Sequence, residues 1–425
     1  MHIAIIGGGA AGCFAAISLS RICRHADITV YESGSKPLAK VAITGGGRCN
    51  LTNSFEHVKS TATAYPRGER LMKRLLRDFG NREVCQWFEN EGVRLVTQDD
   101  GCVFPRSQNA MEIVNTLTRL MHKGGVKVMT HHRATRIRRD DTDGRYIITF
   151  ADENTAERKT DMVLLATGGS KKRAPLETLV GTDIETVEPV PSLFSLCLPG
   201  DDITELTGTV VEEVTASVAG TKWKAEGALL ITHKGMSGPA ILKLSSYAAR
   251  ALHDCDYKTT LNINWLGKEN EEGAGRLLEA LAAKNPRKMV STVCPECLNA
   301  RLWNSLLQRW GVNTALRWTE IGKKGMNRMV NGLTNSTFKV DGKNNFKEEF
   351  VTCGGVSLTA INSNTLESRT SPGLYFAGEV LDVDAITGGF NLQAAWTMAH
   401  VAAKAMAEKA SALENMGGKH VGSLH

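Results

Sequence analysis

Apolar positions along this chain follow two periods, and the places where the period changes divide it. Ile3-Ala4-Ile5-Ile6 is an unbroken apolar run closed by glycines, which predicts a buried parallel strand. Helical spacing follows from Gly12 to Cys23 through Ala15, Ala16 and Leu19, and Asp27–Glu32 reads as a second strand, completing a βαβ unit. Amphipathic helices are expected over 70–79, 83–91 and 110–121, with a strand at 126–129. From Ala134 to Gly169 the period falls to two: strands over 135–139, 146–150 and 158–166 form a small antiparallel meander that re-enters the parallel sheet. Short strands with Gly-containing turns occupy about 189–265, helical spacing 268–332, strands 335–357, and strand, glycine turn and helix 373–409.

The expected fold is α/β: a Rossmann-type domain (parallel sheet plus β-meander) over 1–188 and 350–410, interrupted by a β-rich domain over 189–267 and 333–349. The latter carries a helical insertion at 268–332, and 411–425 reads as a polar, flexible tail. Two or three domains suit 425 residues. The apolar N-terminal stretch has no basic leader and is broken by glycines at 7, 8, 9 and 12. It reads as neither a secretory signal nor a spanning helix, and a cytoplasmic protein is expected. Ten scattered cysteines do not form a disulfide framework, so reduced thiols are expected. Cys294-Pro295-Glu296-Cys297 has no second metal-ligand pair beside it and reads as inert, with a redox pair or half a metal site as alternatives. No metal is expected.

Gly7-x-Gly9-x-x-Gly12 carries the first chemistry. It follows a predicted strand and opens a predicted helix, so backbone N–H groups of Gly9, Ala10, Ala11 and Gly12 face a pyrophosphate at a helix N-terminus. Glu32, twenty residues after Gly12, can accept from both ribose hydroxyls of an adenosine half, with Ser33 beside it. A second glycine-dense loop, Thr44-Gly45-Gly46-Gly47-Arg48-Cys49-Asn50-Leu51-Thr52-Asn53, lets backbone approach a flat ring or phosphate while Arg48 faces an anion. Thr167-Gly168 follows an apolar strand as another close-approach turn, and Gly378-Glu379 places a carboxylate where a flavin's ribityl chain would lie. Gly389, Asn391 and Leu392 open the last helix with N–H donors suited to the flavin N1–C2=O edge.

Together these residues resemble the aminoacetone oxidase family of FAD-binding bacterial flavoproteins. The resemblance is carried by the 44–53 stretch, Gly101–Pro105, Thr232–Pro239, Thr352–Val356 and the closing GLYFAGEVLDVDAITGGFN. It implies a two-part FAD domain interrupted by a β-barrel domain with a helical insertion. It further implies an adenine contact through the Ala134 backbone, and Lys40, Gly46, Arg48 and Asn50 on the flavin side. Thr359-Ala360-Ile361 departs from relatives that place an acid before the Ile, so no role is assigned there.

FAD is thus the expected cofactor. NAD(P)H is a possible transient electron donor only, since the inserted region offers Gly273-Ala274-Gly275 without a third glycine or a preceding strand. His233, in a Gly/Pro-rich loop, is the candidate proton donor, against a structural role; Cys49 is a weaker redox candidate. The favoured activity is oxidation or reduction of a small organic substrate (amine, ketone or enone), with NAD(P)H or oxygen as partner. The alternative is action on RNA, because residues 284–328 hold nine Lys/Arg against two Glu, more than the whole-chain excess of +6. Trp303, Trp310 and Trp318 interleave with those cations, suiting either stacked bases or a helical core.

Overall fold

The computed structural model describes residues 1–181, 183–344 and 351–421, with side chains to Leu413. The chain divides into two compact units, Met1–Val190 with Val351–His425, and Pro191–Phe350.

The first unit is built on five parallel strands: β1 (His2–Ile6), β2 (Asp27–Tyr31), β3 (Lys127–Met129), β4 (Met162–Leu165) and β5 (Leu374–Phe376), in the order β5-β4-β1-β2-β3. Register pairs Ile5 with Leu164 on one side and Val30 on the other, so the buried Ile3–Ile6 run lies in the middle of the sheet. Helix α1 (Ala10–Ile22) follows β1 and is buried from Ala11 to Leu19. Its Phe14 ring lies 4.5 Å from Trp87 and 5.5 Å from Trp396 of the closing helix, Phe390–Val421. Burial of Phe14 stabilises this interface by about 1.5–3 kcal/mol.

Two elements differ from the sequence reading here. The single strand expected over 158–166 is two, because Arg158–Thr160 pairs antiparallel with Tyr146–Phe150, whereas β4 pairs parallel with β1. At the switch Asp161 N and Thr160 Oγ1 both donate to His2 O, at 2.9 Å each. The backbone of 411–421, read as a polar tail, continues the closing helix; 422–425 lie outside the described residues. A third, unexpected element is a small antiparallel sheet of Thr52–Asn53, Cys102–Pro105 and Leu95–Thr97.

The second unit holds seven strands whose neighbours are all antiparallel. Their order is Ser336–Asp341, Lys258–Asn264, Val210–Val218, Lys224–Thr232, Gly235–Ser237, Ser195–Cys197 and Lys343–Asn344. Ser336–Asp341 alternates buried and exposed positions strictly, as a half-buried strand should. Helices Glu271–Lys284, Ala300–Arg309 and Gly322–Asn335 bury Leu278, Leu302, Leu306, Leu307, Met329 and Leu333 in the same core as the sheet. Among the described residues no helix is long and apolar enough to cross a membrane, and no group of three His, Cys, Asp or Glu is placed to hold a metal.

Candidate functional site: a glycine-lined cradle between two open helix ends

Gly7 turns the chain out of β1 with φ +109°, and a Cβ there would collide with the Ala166 carbonyl after β4. That close approach brings Thr167 and Gly168 beside the start of α1. The first bond within α1 is Cys13 N to Gly9 O at 3.0 Å, so the N–H groups of Ala10, Ala11 and Gly12 are the orphan donors of its first turn. No side chain caps this end, and no acidic residue lies in the first turn. A Cβ on Gly9 would meet nothing within 4 Å. The end is open, uncapped and electropositive, which is what a pyrophosphate requires.

Glu32 lies at the end of β2. Its Oε2 accepts from Gly8 N at 2.8 Å and its Oε1 from Gly34 N at 2.6 Å, with Ser33 Oγ at 3.2 Å. His132 N donates to Glu32 O at 2.8 Å, which brings the strand beginning at Ala134 to the same edge.

The second glycine loop has more structure than expected. Ala39–Gly47 starts as a helix, but Thr44, Gly45 and Gly46 leave helical geometry, and a Cβ on Gly46 or Gly47 would again meet nothing within 4 Å. The loop is pinned behind by the unexpected sheet, through Leu51 N to Val103 O at 2.8 Å and Ser54 N to Gly101 O at 2.7 Å. With its amide turned so that both groups find partners, Asn50 donates to Thr52 O at 2.9 Å and accepts from Gly389 N at 3.2 Å, joining this loop to the closing helix. That helix repeats the geometry of α1: Gln393 N bonds Gly389 O at 3.0 Å, leaving Phe390, Asn391 and Leu392 N–H as its orphan donors. Lys40 Nζ lies 3.7 Å from Glu379 Oε2, and Glu379 Oε1 accepts from Thr352 N at 2.7 Å. The residues therefore fit a dinucleotide laid across two open helix ends with glycine backbone beneath it.

Several candidate side chains are engaged in contacts of their own. The Asn391 amide is taken by Ala385 N (2.9 Å) and Ala385 O (3.0 Å), so only its backbone N–H is available. The Arg48 guanidinium is 4.5 Å from the Phe104 ring centroid, and its Nε donates to Gly45 O at 3.2 Å. Cys49 is fully buried, and burial pushes its thiol up to about 12, which removes the redox reading since the thiolate is the reactive form. His233 is exposed on the turn between Lys224–Thr232 and Gly235–Ser237, in the second unit. Gly273 and Gly275 lie inside the helix Glu271–Lys284, not in a strand-to-helix turn. Trp303 and Trp318 are core residues, 0% and 3% exposed, so they offer no face to a base. Cys294 and Cys297 donate separately to Leu298 O and Trp265 O.

Sequence reasoning missed Gln393, Thr397 and Trp396, which seat the closing helix. Gln393 and Thr52 hydrogen-bond, Thr397 Oγ1 donates to Phe79 O at 2.7 Å, and Trp396 Nε1 donates to Leu51 O at 3.0 Å. A polar pair four apart on an otherwise apolar helix face was the available signal.

Relatives of known activity cover nearly the whole chain. A 3-dehydro-bile acid delta(4,6)-reductase of Clostridium scindens is 27% identical over 96% of this chain and 99% of its own length. A ribosomal RNA dihydrouridine synthase of Haemophilus influenzae is 27% identical over 94% of this chain and 96% of its own. Among solved structures, a 3-ketosteroid-delta4-(5alpha)-dehydrogenase from Rhodococcus jostii RHA1 overlaps with a TM-score of 0.49 at 14% identity, covering 95% of this chain and 96% of that one. The HI0933-like protein Rossmann domain family matches residues 1–405, a grouping broader than the aminoacetone oxidases that the motifs resemble. This chain belongs to the HI0933-like protein Rossmann domain family.

Proposed function

We propose that this protein is an FAD-dependent reductase of a carbon–carbon double bond conjugated to a carbonyl. The observation that carries the cofactor is the uncapped start of α1 together with the orphan first-turn donors of the closing helix and the open space at Gly9, Gly46 and Gly47. Bound FAD would supply hydride transfer. Ala10–Gly12 would hold the pyrophosphate, Glu32 with Ser33 the ribose, and Ala134 the adenine. Lys40, Gly45–Arg48, Asn50, Thr167, Gly168, Gly378 and Glu379 would line the flavin half. The N–H groups of Phe390, Asn391 and Leu392 would favour negative charge on the pyrimidine edge. The double bond is supported by the relatives' own names, since a delta(4,6)-reductase and a dihydrouridine synthase both saturate such bonds. NAD(P)H is the proposed transient donor, and a composition of ten scattered cysteines suits a reducing, cytoplasmic setting. We read the seven-stranded sheet as a barrel-like domain bearing the helical insertion. His233 remains the candidate proton donor.

The test is anaerobic. The purified protein should carry the two visible bands of oxidised flavin, and after reduction an α,β-unsaturated ketone should reoxidise it while the saturated ketone does not. Reoxidation by oxygen but by no unsaturated carbonyl would sink the reading.

A second reading, that the double bond belongs to a base within RNA, is favoured by one observation. Residues 286–290 run beside 316–319, with Val290 N to Leu316 O at 3.0 Å and Trp318 N to Lys288 O at 3.1 Å. This gathers exposed Arg287, Lys288 and Arg317 just ahead of Lys323 and Lys324 on the next helix. With Trp303 and Trp318 in the core, such a surface suits phosphates more than bases. Salt-dependent retention of bulk ribosomal RNA on filters, lost in the Lys323→Glu/Lys324→Glu variant, is expected; no retention at low salt ends this reading.

A further inference from the structure

Residues 380–388 link Gly378-Glu379 to the closing helix, and so join two stretches of the cradle. Three clamps hold this linker. Val356 N donates to Val380 O at 2.8 Å and Asp382 N to Val356 O at 2.9 Å. The Asn391 amide takes both backbone groups of Ala385. The third clamp is ionic: Arg67 Nε donates to Asp384 Oδ1 at 2.5 Å while Arg67 Nη2 pairs with Asp384 Oδ2, beside an Ile386 N to Ala64 O bond of 2.9 Å. The Asp384 carboxylate is fully buried and Arg67 largely so. Burial alone would lower the guanidinium's proton affinity. The bond to Asp384, with its charge and that of Asp382, outweighs that and keeps Arg67 cationic.

Stability does not explain such a pair. A buried ion pair surrenders so much hydration that an apolar pair of similar volume is commonly as stable or more so. What the pair provides, and an apolar pair cannot, is direction: a guanidinium fork on a carboxylate fixes both distance and orientation. The backbone so oriented runs within five residues into Gly389, whose N–H meets Asn50, and then into the three orphan donors.

We propose that Arg67 and Asp384 are positioning residues for the flavin: they aim the N-terminus of the closing helix at the isoalloxazine pyrimidine edge and thereby raise its reduction potential. The proposal rests on the FAD reading. Donors fixed in place favour the reduced, anionic ring over the oxidised one without reorganising. Loosened donors favour both forms less, and the reduced form least.

The test compares three variants of the full-length holoprotein: Arg67→Lys, Asp384→Asn, and the double variant Arg67→Met/Asp384→Leu, which removes both charges of the pair. The double variant should melt within a few degrees of the parent in the apo form. Its reduced-to-oxidised flavin ratio should nevertheless fall about tenfold at a fixed redox poise, set by a reference dye. Arg67→Lys, which keeps the charge without the fork, should recover part of that loss. Asp384→Asn should lose both stability and flavin. A double variant with a parental potential overturns the proposal, as does one whose potential falls only in proportion to its melting temperature. A parent protein that takes up no FAD overturns the cofactor reading instead, so the two failures are distinguishable.

Discussion

Two helices of the first unit begin in opposite ways. At Ala110–Lys123 the Asn109 side chain accepts from Met111 N at 2.9 Å and Glu112 sits in the first turn, so the chain satisfies its own orphan donors. At α1 the N-cap is Gly9, no side chain bonds the first turn and no acid lies within it, although Glu32 accepts from Gly8 N just before it. The first end serves stability; the second forgoes about 1 kcal/mol of it, leaving donors and positive potential for a ligand. An uncapped end is not by itself a functional signal, since Glu69–Leu75 and Arg173–Val180 also start without a side-chain cap; at α1 it becomes one because the uncapped end coincides with the glycine turn after β1 and open space at Gly9.

The sharpest way to break the contrast is to make α1 resemble the other helix. Gly9 has extended geometry (φ −83°, ψ −167°) and open space at its Cβ, so Gly9→Asp can cap the helix without strain. The apo protein should keep its stability or gain up to about 1 kcal/mol, while FAD affinity falls at least a hundredfold because a carboxylate occupies the pyrophosphate position. Calorimetry of the apo form and fluorescence titration with FAD measure the two halves; parental FAD binding would refute the assignment. Glu32→Gln should weaken FAD about tenfold, the cost of trading an ionised acceptor for a neutral one at the ribose. The mirror experiment, Asn109→Ala, should cost about 1 kcal/mol in urea unfolding and leave FAD affinity unchanged. The smallest effect concerns pH. His400 stacks on Phe79 at 4.2 Å, and burial, with Lys404 adding to it, holds its pKa below the ordinary 6.5. Its contribution is therefore complete above about pH 6.5 and lost as pH falls through the lower folded-state value. His400→Gln should flatten the stability–pH curve in that window.

The cradle was legible because its elements obey local rules. Gly7 to Gly12 follows a strand and opens a helix, and Glu32 ends the next strand. What escaped depends on partners distant in sequence. Thr52 bonds Gln393 across 341 positions and Arg67 meets Asp384 across 317, and no periodicity encodes such pairs. The split at Asp161 escaped because 158–166 has one continuous β pattern, while two different sheets compete for its halves. The tryptophans of the basic segment were ambiguous for the converse reason: helical spacing and interleaved cations both fit, and only burial separates them.

The seating of Trp396 has an optical consequence. Two of the seven tryptophans, Trp87 and Trp396, belong to the first unit, and the Trp396 indole bonds Leu51 directly behind the second glycine loop. Indole emission overlaps flavin absorption, so light absorbed by Trp396 should pass to the ring instead of being emitted. The remaining five tryptophans belong to the other unit. The Trp396→Phe variant would therefore show what share of the flavin-quenched emission comes from this one residue. The molecule then reports the filling of its own cradle in the colour and lifetime of its fluorescence, with no added dye.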